Sequence, residues 1–519
     1  MRQRTNNLLP TRNVIHEVRP DCCKLYWQME GMSVQFTSKQ NFLTRVRIFI
    51  KLGQHMASII VLPKEWTSTM RPLQDQCEPT PYEAMDEMFQ SDMHKSISDL
   101  FVEFDPEPVG VASLAQVHVA RLRETGEKVA VKLQHPHLTE FADVDMEMVE
   151  VSLGWIKYWF PEFELTWLGE EMRINLPKEM DFVHEASNAA RTAREFDNVR
   201  TSLYIPKVIT ANKRVLIMEY IQGARVDDLE YLADANIDRN KVAIELSRIF
   251  NRMVFVSGWF HADPHPGIVL YRSNAYSVHS QGCPGNLLIR PAPLYPKSPY
   301  NFEIVLLDHG QYFDINDELR INYSKFWLSL MAPGSASVNV DRRKYAELVG
   351  NIGPDLAAIT GRAALEGTWG DEEATDSGNS FKRASGMMNA LPQSEEEMEA
   401  IRTAVVSREG LLVSVFDVLR RVPRRVLMIL KLNDLTRSLD HSLATTHSNI
   451  MLVVRTASLH PSQSKINSNR QYEHGYIAVV LTERIMDSQA YLFKLRDWLH
   501  GLRRQGFRGA YKAAAGLDV

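Results

Sequence analysis

Few cysteines, no long hydrophobic run and no strong net charge narrow the class of this protein. The 519 residues include four cysteines, none of them in a Cys-x-x-Cys pair or at a metal-ligand spacing, which favours a reducing compartment without a disulfide framework. No apolar run approaches the roughly 18–20 residues that a membrane-spanning helix needs. The net charge of −5 argues against a nucleic-acid-binding protein.

The chain also lacks a glycine-rich phosphate loop of the G-x-G-x-x-G type. Ahead of the strand-like Val129-Ala-Val-Lys132 it carries Pro108-Val-Gly-Val-Ala-Ser-Leu-Ala-Gln116. Small residues still let a backbone approach phosphate groups, although with less freedom than glycines. We predict that four residues of the segment contact the phosphate groups of a nucleotide: Gly110, Val111, Ala112 and Ser113.

The most informative segment is His261-Ala-Asp-Pro-His-Pro-Gly267, which follows an apolar stretch. An Asp two residues after a His is the arrangement of a kinase catalytic loop, so Asp263 is the predicted group that orients or deprotonates a phosphoryl acceptor. A kinase places a metal-binding Asn five residues after that Asp. Here position 268 is Ile, and the next candidate is Asn286. The alternative role for Asp263 is that of an ordinary turn residue.

Three further residues complete the set that phosphoryl transfer needs. Lys132 ends a strand pattern and can reach phosphates as a point charge. Glu185, on a predicted helix, is its best partner, because a buried lysine without a carboxylate would lose its proton. Asp308 follows an apolar strand pattern and, with Asn286, suits Mg²⁺, which prefers oxygen ligands. Taken singly, each has a plain structural alternative: a strand lysine, an exposed helix glutamate or a turn aspartate.

The order of these elements predicts an α+β, atypical protein-kinase-like bilobal fold with a helical N-terminal extension and helical C-terminal additions. Strand patterns at 101–104, 116–121 and 129–133 begin the N-terminal lobe. A strand at 214–218 leads into Glu219 and Tyr220, the predicted hinge for a nucleotide base. The predicted segments are 1–40 (irregular, with features of a targeting segment), 41–100 (helical extension), 101–225 (N-lobe), 226–460 (C-lobe, with an insertion at 268–285 and an acidic loop at 370–400) and 461–519 (tail).

Together the motifs resemble those of the UbiB/ADCK family of atypical kinases, the aarF-domain proteins. The resemblance spans about residues 45–330. It rests on Lys51-Leu-Gly-Gln54, Gly110-Val-Ala-Ser113, Val129-Ala-Val-Lys132, Glu179-Met-Asp181, Asp181-Phe-Val-His-Glu185, His261–Gly267 and Asp308-His-Gly310. The Asp-His-Gly variant and the stretches 319–330 and 422–434 are similar to the mitochondrial branch of the family.

This resemblance implies ATP or ADP and Mg²⁺ as cofactors. It implies that Lys51, Gly53 and Gln54 belong to a helical extension that folds over the active site, where Lys51 would meet Glu179 and Asp181 and block protein substrates. It also implies a mitochondrial location associated with the inner membrane, and a membrane lipid or quinone-related small molecule as partner. Peripheral association with a membrane is predicted from Tyr491–Leu502, where apolar residues recur at helical spacing beside basic ones; packing of this segment against the C-lobe is the alternative. A nucleic-acid partner is not expected.

Two segments interrupt the family pattern. Removing Ile268–Gly285 restores His-Ala-Asp-Pro-His-Pro-Gly-Asn-Leu-Leu, the usual family string, and the segment at about 32–47 stands where the family has a short Gly-rich lead. Both begin after a glycine and share no periodicity with their flanks. Each is either a retained intron, the hypothesis we favour for 268–285, or a genuine loop, and sequencing the transcript would decide.

Three function classes are open to this sequence. The leading hypothesis is an ATP-binding atypical kinase or ATPase in mitochondrial lipid or ubiquinone homeostasis. The rival is a catalytically weak pseudokinase scaffold at the mitochondrial membrane, in which the interrupted loop has lost the chemistry. A small-molecule phosphotransferase of the aminoglycoside/choline type would share the core, but Lys51-x-Gly-Gln54 and Glu179-x-Asp181 count against it.

Overall fold

The computed structural model describes residues 79–136, 138–159, 166–264, 286–293, 298–331, 336–351, 368–369, 381–382 and 421–445. The predicted Lys51-Leu-Gly-Gln54 motif, the interrupting segments 32–47 and 268–285, and the tail 461–519 lie outside these residues. The predicted acidic loop at 370–400 does so too, except for Phe381–Lys382, which pairs antiparallel with Thr368–Trp369.

Short strands carry most of the residues singled out from the sequence. In chain order they are β1 (Phe101–Phe104), β2 (Gly110–Val111), β3 (Ala115–Leu122), β4 (Lys128–Gln134), β5 (Leu203–Tyr204), β6 (Val208–Ala211), β7 (Val215–Glu219), β8 (Ala224–Arg225), β9 (Trp259–His261), β10 (Leu287–Pro291), β11 (Phe302–Leu306) and β12 (Tyr312–Asp314). The four strand patterns predicted in the N-terminal lobe are confirmed as β1, β3, β4 and β7, each to within one residue at either end.

Helices flank and follow these strands. They are α1 (Tyr82–Met93), α2 (Ile97–Leu100), α3 (Leu138–Trp159), α4 (Thr166–Glu179), α5 (Phe182–Glu195), α6 (Leu229–Asp234), α7 (Arg239–Arg252), α8 (Asp317–Met331), α9 (Ala336–Gly350) and α10 (Arg424–Ser442). A π-helical turn, Met253–Ser257, continues α7. Gly258 ends this turn with a φ of 67°, and a side chain there would lie 3.2 Å from the carbonyl oxygen of Ile315.

An antiparallel sheet in the order β1-β3-β4-β7-β6, with β2 beside β3, forms the N-terminal lobe. One face packs against α1, and the buried side chains of Val129, Val131 and Leu133 belong to that core. The other face meets α5, with Ala130 in the shared core. Because successive strand residues point to opposite faces, Lys132 lies on the α5 face. A helix that precedes β1 in the chain therefore contributes to the core of this sheet.

In the described part of the C-terminal lobe, α7, the π-helical turn, α8, α10 and strands β9 to β12 share one large core. Its sheet has the order β5-β11-β10-β8, and β9 pairs separately with β12. The β9–β12 register places His261 opposite Tyr312, and the β10–β11 register places Leu287 opposite Leu306. These two pairings bring the end of β9, which leads to Asp263, and the end of β11, which leads to Asp308, to the same side of the lobe.

The predicted α+β, kinase-like bilobal fold is thus confirmed, with an antiparallel sheet in the first lobe and a mainly helical second lobe. The predicted segment boundaries beyond the described residues stay predictions. In the part of the chain that the structure describes, no helix has both the length and the apolar character required to cross a membrane.

Candidate functional site

Lys132 lies between two carboxylates where the lobes meet. Its Nζ is 2.8 and 2.9 Å from the two carboxylate oxygens of Glu185, and 3.6 Å from Oδ2 of Asp308. β4 supplies the lysine, α5 the glutamate and the loop after β11 the aspartate. The side chain of Glu185 is 3% exposed and that of Asp308 is 38% exposed, so the group is closed behind Glu185 and open at Asp308.

Burial and charge act in opposite directions on this group. Burial alone would lower the pKa of Lys132, but the carboxylates of Asp308 and Glu185 outweigh it and raise that pKa. Burial raises the pKa of Glu185, and the ammonium of Lys132 offsets part of that effect. Lys132 therefore keeps its positive charge at neutral pH, which a group that contacts phosphates requires.

Main-chain hydrogen bonds fix the turn that carries Asp308. The amide of Gly310 donates to Oδ1 of Asp308 at 2.8 Å, and the amide of His309 donates to Oε1 of Glu185 at 3.3 Å. The turn is therefore tied directly to the Lys132–Glu185 pair, because the same carboxylate receives both the ammonium and an amide of the turn.

The ring of His309 is a buried structural element beneath this turn. Its Nδ1 lies 2.9 Å from the hydroxyl of Tyr312, and its Nε2 lies 3.2 Å from the carbonyl oxygen of Leu306. Burial, together with the nearby His261, lowers the pKa of His309 to about 3. The ring is thus neutral at physiological pH, donating to Leu306 and accepting from Tyr312.

His261 connects the catalytic loop to the Asp308 turn. Its ring is buried; Nε2 donates to the carbonyl oxygen of Asp308 at 2.9 Å, and Nδ1 accepts from the amide of Asp263 at 3.0 Å. A single neutral tautomer satisfies both bonds. The role of His261 in the fold is therefore to hold the main chain of Asp263 against that of Asp308.

Asn286 joins the same group despite the interrupted sequence. Its Nδ2 donates to the carbonyl oxygen of Asp263 at 3.1 Å, and its own carbonyl oxygen accepts from the amide of Leu307 at 2.9 Å. The β10–β11 register continues through this bond, which places Asn286 beside the strand end that leads to Asp308. The insertion does not remove Asn286 from the site.

The oxygens of Asp308 and Asn286 form a donor set that suits Mg²⁺. This ion binds one or two protein ligands and takes its other oxygens from phosphates and water. Because the amide nitrogen of Asn286 donates to Asp263, its amide oxygen would be the cation-binding atom. Among the residues that the structure describes, no group of three or more His, Cys, Asp or Glu side chains is placed to hold a metal ion. A two-ligand Mg²⁺ site formed by Asp308 and Asn286 and completed by phosphate oxygens stays a prediction.

The small-residue loop is held by its own backbone. Gly110 and Val111 form β2 beside β3, and the amide of Ala112 donates to the carbonyl oxygen of Ala115 at 2.8 Å. Ser113 is buried. The amide of Ala112 would have to leave this bond before it could donate to a phosphate, so the phosphate-binding role of the loop stays a prediction.

The side chains of Glu219 and Tyr220, the predicted hinge, contact other side chains of the protein. The carboxylate of Glu219 accepts from the hydroxyl of Tyr204 at 2.9 and 2.7 Å, and burial raises the pKa of Tyr204, which keeps that hydroxyl protonated. The ring of Tyr220 lies 4.2 Å from Nζ of Lys128. The contact of Glu219 and Tyr220 with a nucleotide base stays a prediction.

Comparison with known proteins gives the family. A model of the ABC1 atypical kinase-like domain matches residues 72–340. The chain is 39% identical over 401 residues to the ABC1 family protein MCP2 homolog of Schizosaccharomyces pombe, covering 77% of this chain and 66% of that protein. It is 35% identical over 404 residues to AarF domain-containing kinase 1 of Drosophila melanogaster, covering 77% of this chain and 69% of that protein. This chain belongs to the ABC1 atypical kinase family.

The match has clear limits in length and in structure. The aligned part spans about two thirds of the fission yeast relative. A Mycobacterium tuberculosis protein solved in complex with erythromycin is 17% identical, with a TM-score of 0.40, over 78% of this chain and 93% of that one. That likeness is too remote to carry an argument.

Glu179 and Asp181 of this ABC1 protein both have partners within the described residues. Glu179, the last residue of α4, accepts a hydrogen bond from Nε2 of Gln311, which directly follows the Asp308-His-Gly310 turn. Asp181 caps α5 by accepting from the amide of Val183 at 2.9 Å. Lys51, Gly53 and Gln54 lie outside the described residues, so their contact with these acids stays a prediction.

One member of the ABC1 site was missed from the sequence. Nζ of Lys431, on α10, lies 3.0 Å from Oδ1 of Asp263. The surrounding stretch 422–434 served only as a mark of the family branch. The signal available was a lone lysine within the apolar run Val426-Leu-Met-Ile-Leu-Lys-Leu432, and an isolated charge in such a run marks a candidate pairing site.

Proposed function

We propose that this ABC1 protein binds ATP or ADP with Mg²⁺ and transfers the terminal phosphoryl group of ATP to a hydroxyl or to water. The observation that carries the proposal is the placement of Lys132 between Glu185 and Asp308, with Asn286 and Asp263 bonded to each other alongside. A largely buried lysine that contacts two carboxylates, one of them partly exposed, is typical of a functional site more than of a purely structural ion pair.

The roles follow from charge and position. Lys132 contacts the α- and β-phosphates, and Glu185 holds its ammonium in place. Asp308 and Asn286 would hold Mg²⁺, which neutralises phosphate charge when bound. Asp263 accepts the proton of the attacking hydroxyl as its oxygen bonds to the terminal phosphorus and the bond from that phosphorus to ADP breaks.

The test is release of ADP by the purified chain, compared with an Asp308→Asn variant. We expect about 100-fold or greater loss of rate, because a metal ligand in phosphoryl transfer stabilises the transition state by about 3 kcal/mol or more. Asp234→Asn, at an exposed position at the end of α6, is the matched control and should keep the wild-type rate.

The wider role is proposed as mitochondrial lipid or ubiquinone homeostasis, with the protein held peripherally at the inner membrane. Its support is the similarity of the Asp308-His-Gly310 variant and its neighbouring stretches to the mitochondrial branch. Import into isolated mitochondria and flotation with phosphatidylcholine, phosphatidylethanolamine and cardiolipin vesicles would test location and membrane association. A protein that is neither imported nor floated contradicts this part.

A pseudokinase scaffold is the second candidate, and the interruption at 268–285 is the observation that favours it. A scaffold keeps the fold and the Lys132–Glu185 pair for stability alone. Equal ADP release by wild type and Asp308→Asn would select it over the enzyme.

A further inference from the structure

The pairing of Lys431 with Asp263 extends the site beyond the sequence motifs. The two side chains are 23% and 25% exposed respectively, so the pair lines an accessible surface instead of lying in the core. Lys431 comes from α10, 168 residues after Asp263 in the chain. The residues matched by the family model end at 340, well before this helix.

The fold, and not a chance side-chain position, sets where Lys431 lies. Its neighbours Ile429 and Leu432 are fully buried in the core of the C-terminal lobe, and Asn433 donates to the hydroxyl of Tyr323 at 2.9 Å. These three residues share one face of α10, so that face is held against the core, which limits the positions open to the ammonium of Lys431.

The charge distribution explains why a cation is needed there. Lys132 is already shared between Glu185 and Asp308, and the stretch His261–Ile268 contains no lysine or arginine. Without Lys431, Asp263 would meet the phosphates of a bound nucleotide with no cation contributed by its own loop. Like charges brought close together repel each other.

We propose that Lys431 is a positioning residue of the catalytic centre: it holds the carboxylate of Asp263 toward the acceptor and offsets its repulsion of the terminal phosphate. This inference rests on the proposed function. It makes α10 part of the phosphotransfer machinery, so the catalytic centre is complete only with residues 421–445.

The test compares Lys431→Met and Lys431→Arg with Lys241→Met, a control at an exposed position on α7. In ADP release, Lys431→Met should lower kcat about 10- to 100-fold while the KM for ATP rises by a clearly smaller factor, because the lysine acts mainly on the reacting group. Lys431→Arg should recover part of the rate, and added ethylammonium should recover part of the rate of Lys431→Met. The control should match wild type.

Coupling and binding separate this proposal from a structural role. In an Asp263→Asn background, Lys431→Met should cause less than twofold further loss of kcat. In isothermal titration with Mg²⁺, Lys431→Met should weaken the non-hydrolysable ATP analogue AMP-PNP at least threefold relative to ADP. An unchanged kcat, or a loss that Lys431→Arg and ethylammonium do not restore, would overturn the proposal.

Failure of the proposed function shows differently. If wild type releases ADP no faster than Asp308→Asn, the proposal of catalytic turnover is refuted. The ratio of AMP-PNP affinity to ADP affinity then tests the role of Lys431 at the terminal phosphate. A ratio unchanged in Lys431→Met refutes that role, and a lowered ratio upholds it. If wild type binds neither nucleotide, both proposals fall together.

Discussion

Deleting residues 268–285 is the sharpest perturbation that this chain offers. The deletion joins Gly267 directly to Asn286 and restores the family spacing of five residues between Asp263 and Asn286. In the present chain these two residues are 23 positions apart and are joined by the bond between Nδ2 of Asn286 and the carbonyl oxygen of Asp263. The deletion changes the loop that must close for this bond to form.

The expected magnitude follows from loop closure. Shortening a loop from 23 to 5 residues lowers the entropic cost of bringing its ends together by about 1.4 kcal/mol, which corresponds to about a tenfold change in an equilibrium constant. We therefore expect the deletion variant to bind Mg²⁺-nucleotide up to about tenfold more tightly. The free energy of unfolding should rise by the part of this 1.4 kcal/mol that does not appear as affinity, because a loop that is already closed in the free protein contributes to folding and not to binding.

The assay is a thermal-shift titration with Mg²⁺-ADP, paired with urea unfolding, on the intact and shortened chains. Asn286→Ala in both backgrounds completes a double-mutant cycle. The gain in nucleotide affinity should disappear without the Asn286 side chain. Equal affinities and equal unfolding midpoints for the intact and shortened chains would refute the loop-closure argument, and a gain that survives Asn286→Ala would place its cause elsewhere.

Three further predictions concern residues that link the site to the fold. Glu185→Gln should lower the free energy of unfolding by about 3 kcal/mol, because it leaves the largely buried ammonium of Lys132 without the nearer of its two carboxylates. In the same urea assay Glu103→Gln, in an exposed ion pair, should cost less than about 1 kcal/mol, and similar losses would contradict the role of burial. Burial lowers the pKa of His309 to about 3 in the fold, against about 6.5 in an unfolded chain. As the pH falls from about 6.5 toward 3, only the unfolded chain takes up this proton, so the free energy of unfolding declines by about 1.4 kcal/mol per pH unit. His309→Phe should flatten the dependence of the unfolding free energy on pH between about pH 6.5 and 5, and an unchanged slope would rule out His309 as its source. Asp181→Ala should lower the free energy of unfolding by about 1 kcal/mol through loss of the helix cap, whereas Asp181→Asn, an equally good cap, should lower it little. Equal losses in the two variants would show that charge, and not capping, is what the position requires.

Local patterns predicted the first lobe well because its strands are regular. Burial alternates along β3 from Gln116 to Leu122, and a repeat of two residues is visible in sequence. The π-helical turn before β9 was not predicted, since one added residue in a helical turn leaves almost no trace in hydrophobic periodicity. The packing of α1 on the sheet was also missed, because the pattern of an amphipathic helix shows its apolar face but not the surface against which that face packs.

Among the candidate site residues, the sequence could name side chains but not distances. Lys132 and Glu185 were paired on the argument that a buried ammonium needs a carboxylate, and the structure places them 2.8 Å apart. Whether Asn286 returns to Asp263 depends on strand register between β10 and β11, and no local pattern encodes where a chain re-enters a sheet after an insertion. The nucleotide contacts and the Lys51 motif stay predictions.

The sequence by itself determined the family, the kinase-like order of elements and the identity of the chemical groups, because these depend on residue types at short spacings. Only the tertiary structure decided that His261 ties the main chains of Asp263 and Asp308 together, that Asn286 remains at the site, and that Lys431 reaches Asp263 from a distant helix. The physical reason is the same in each case: such contacts come from the packing of elements far apart in the chain, and packing is set by the whole core and not by any local run of residues.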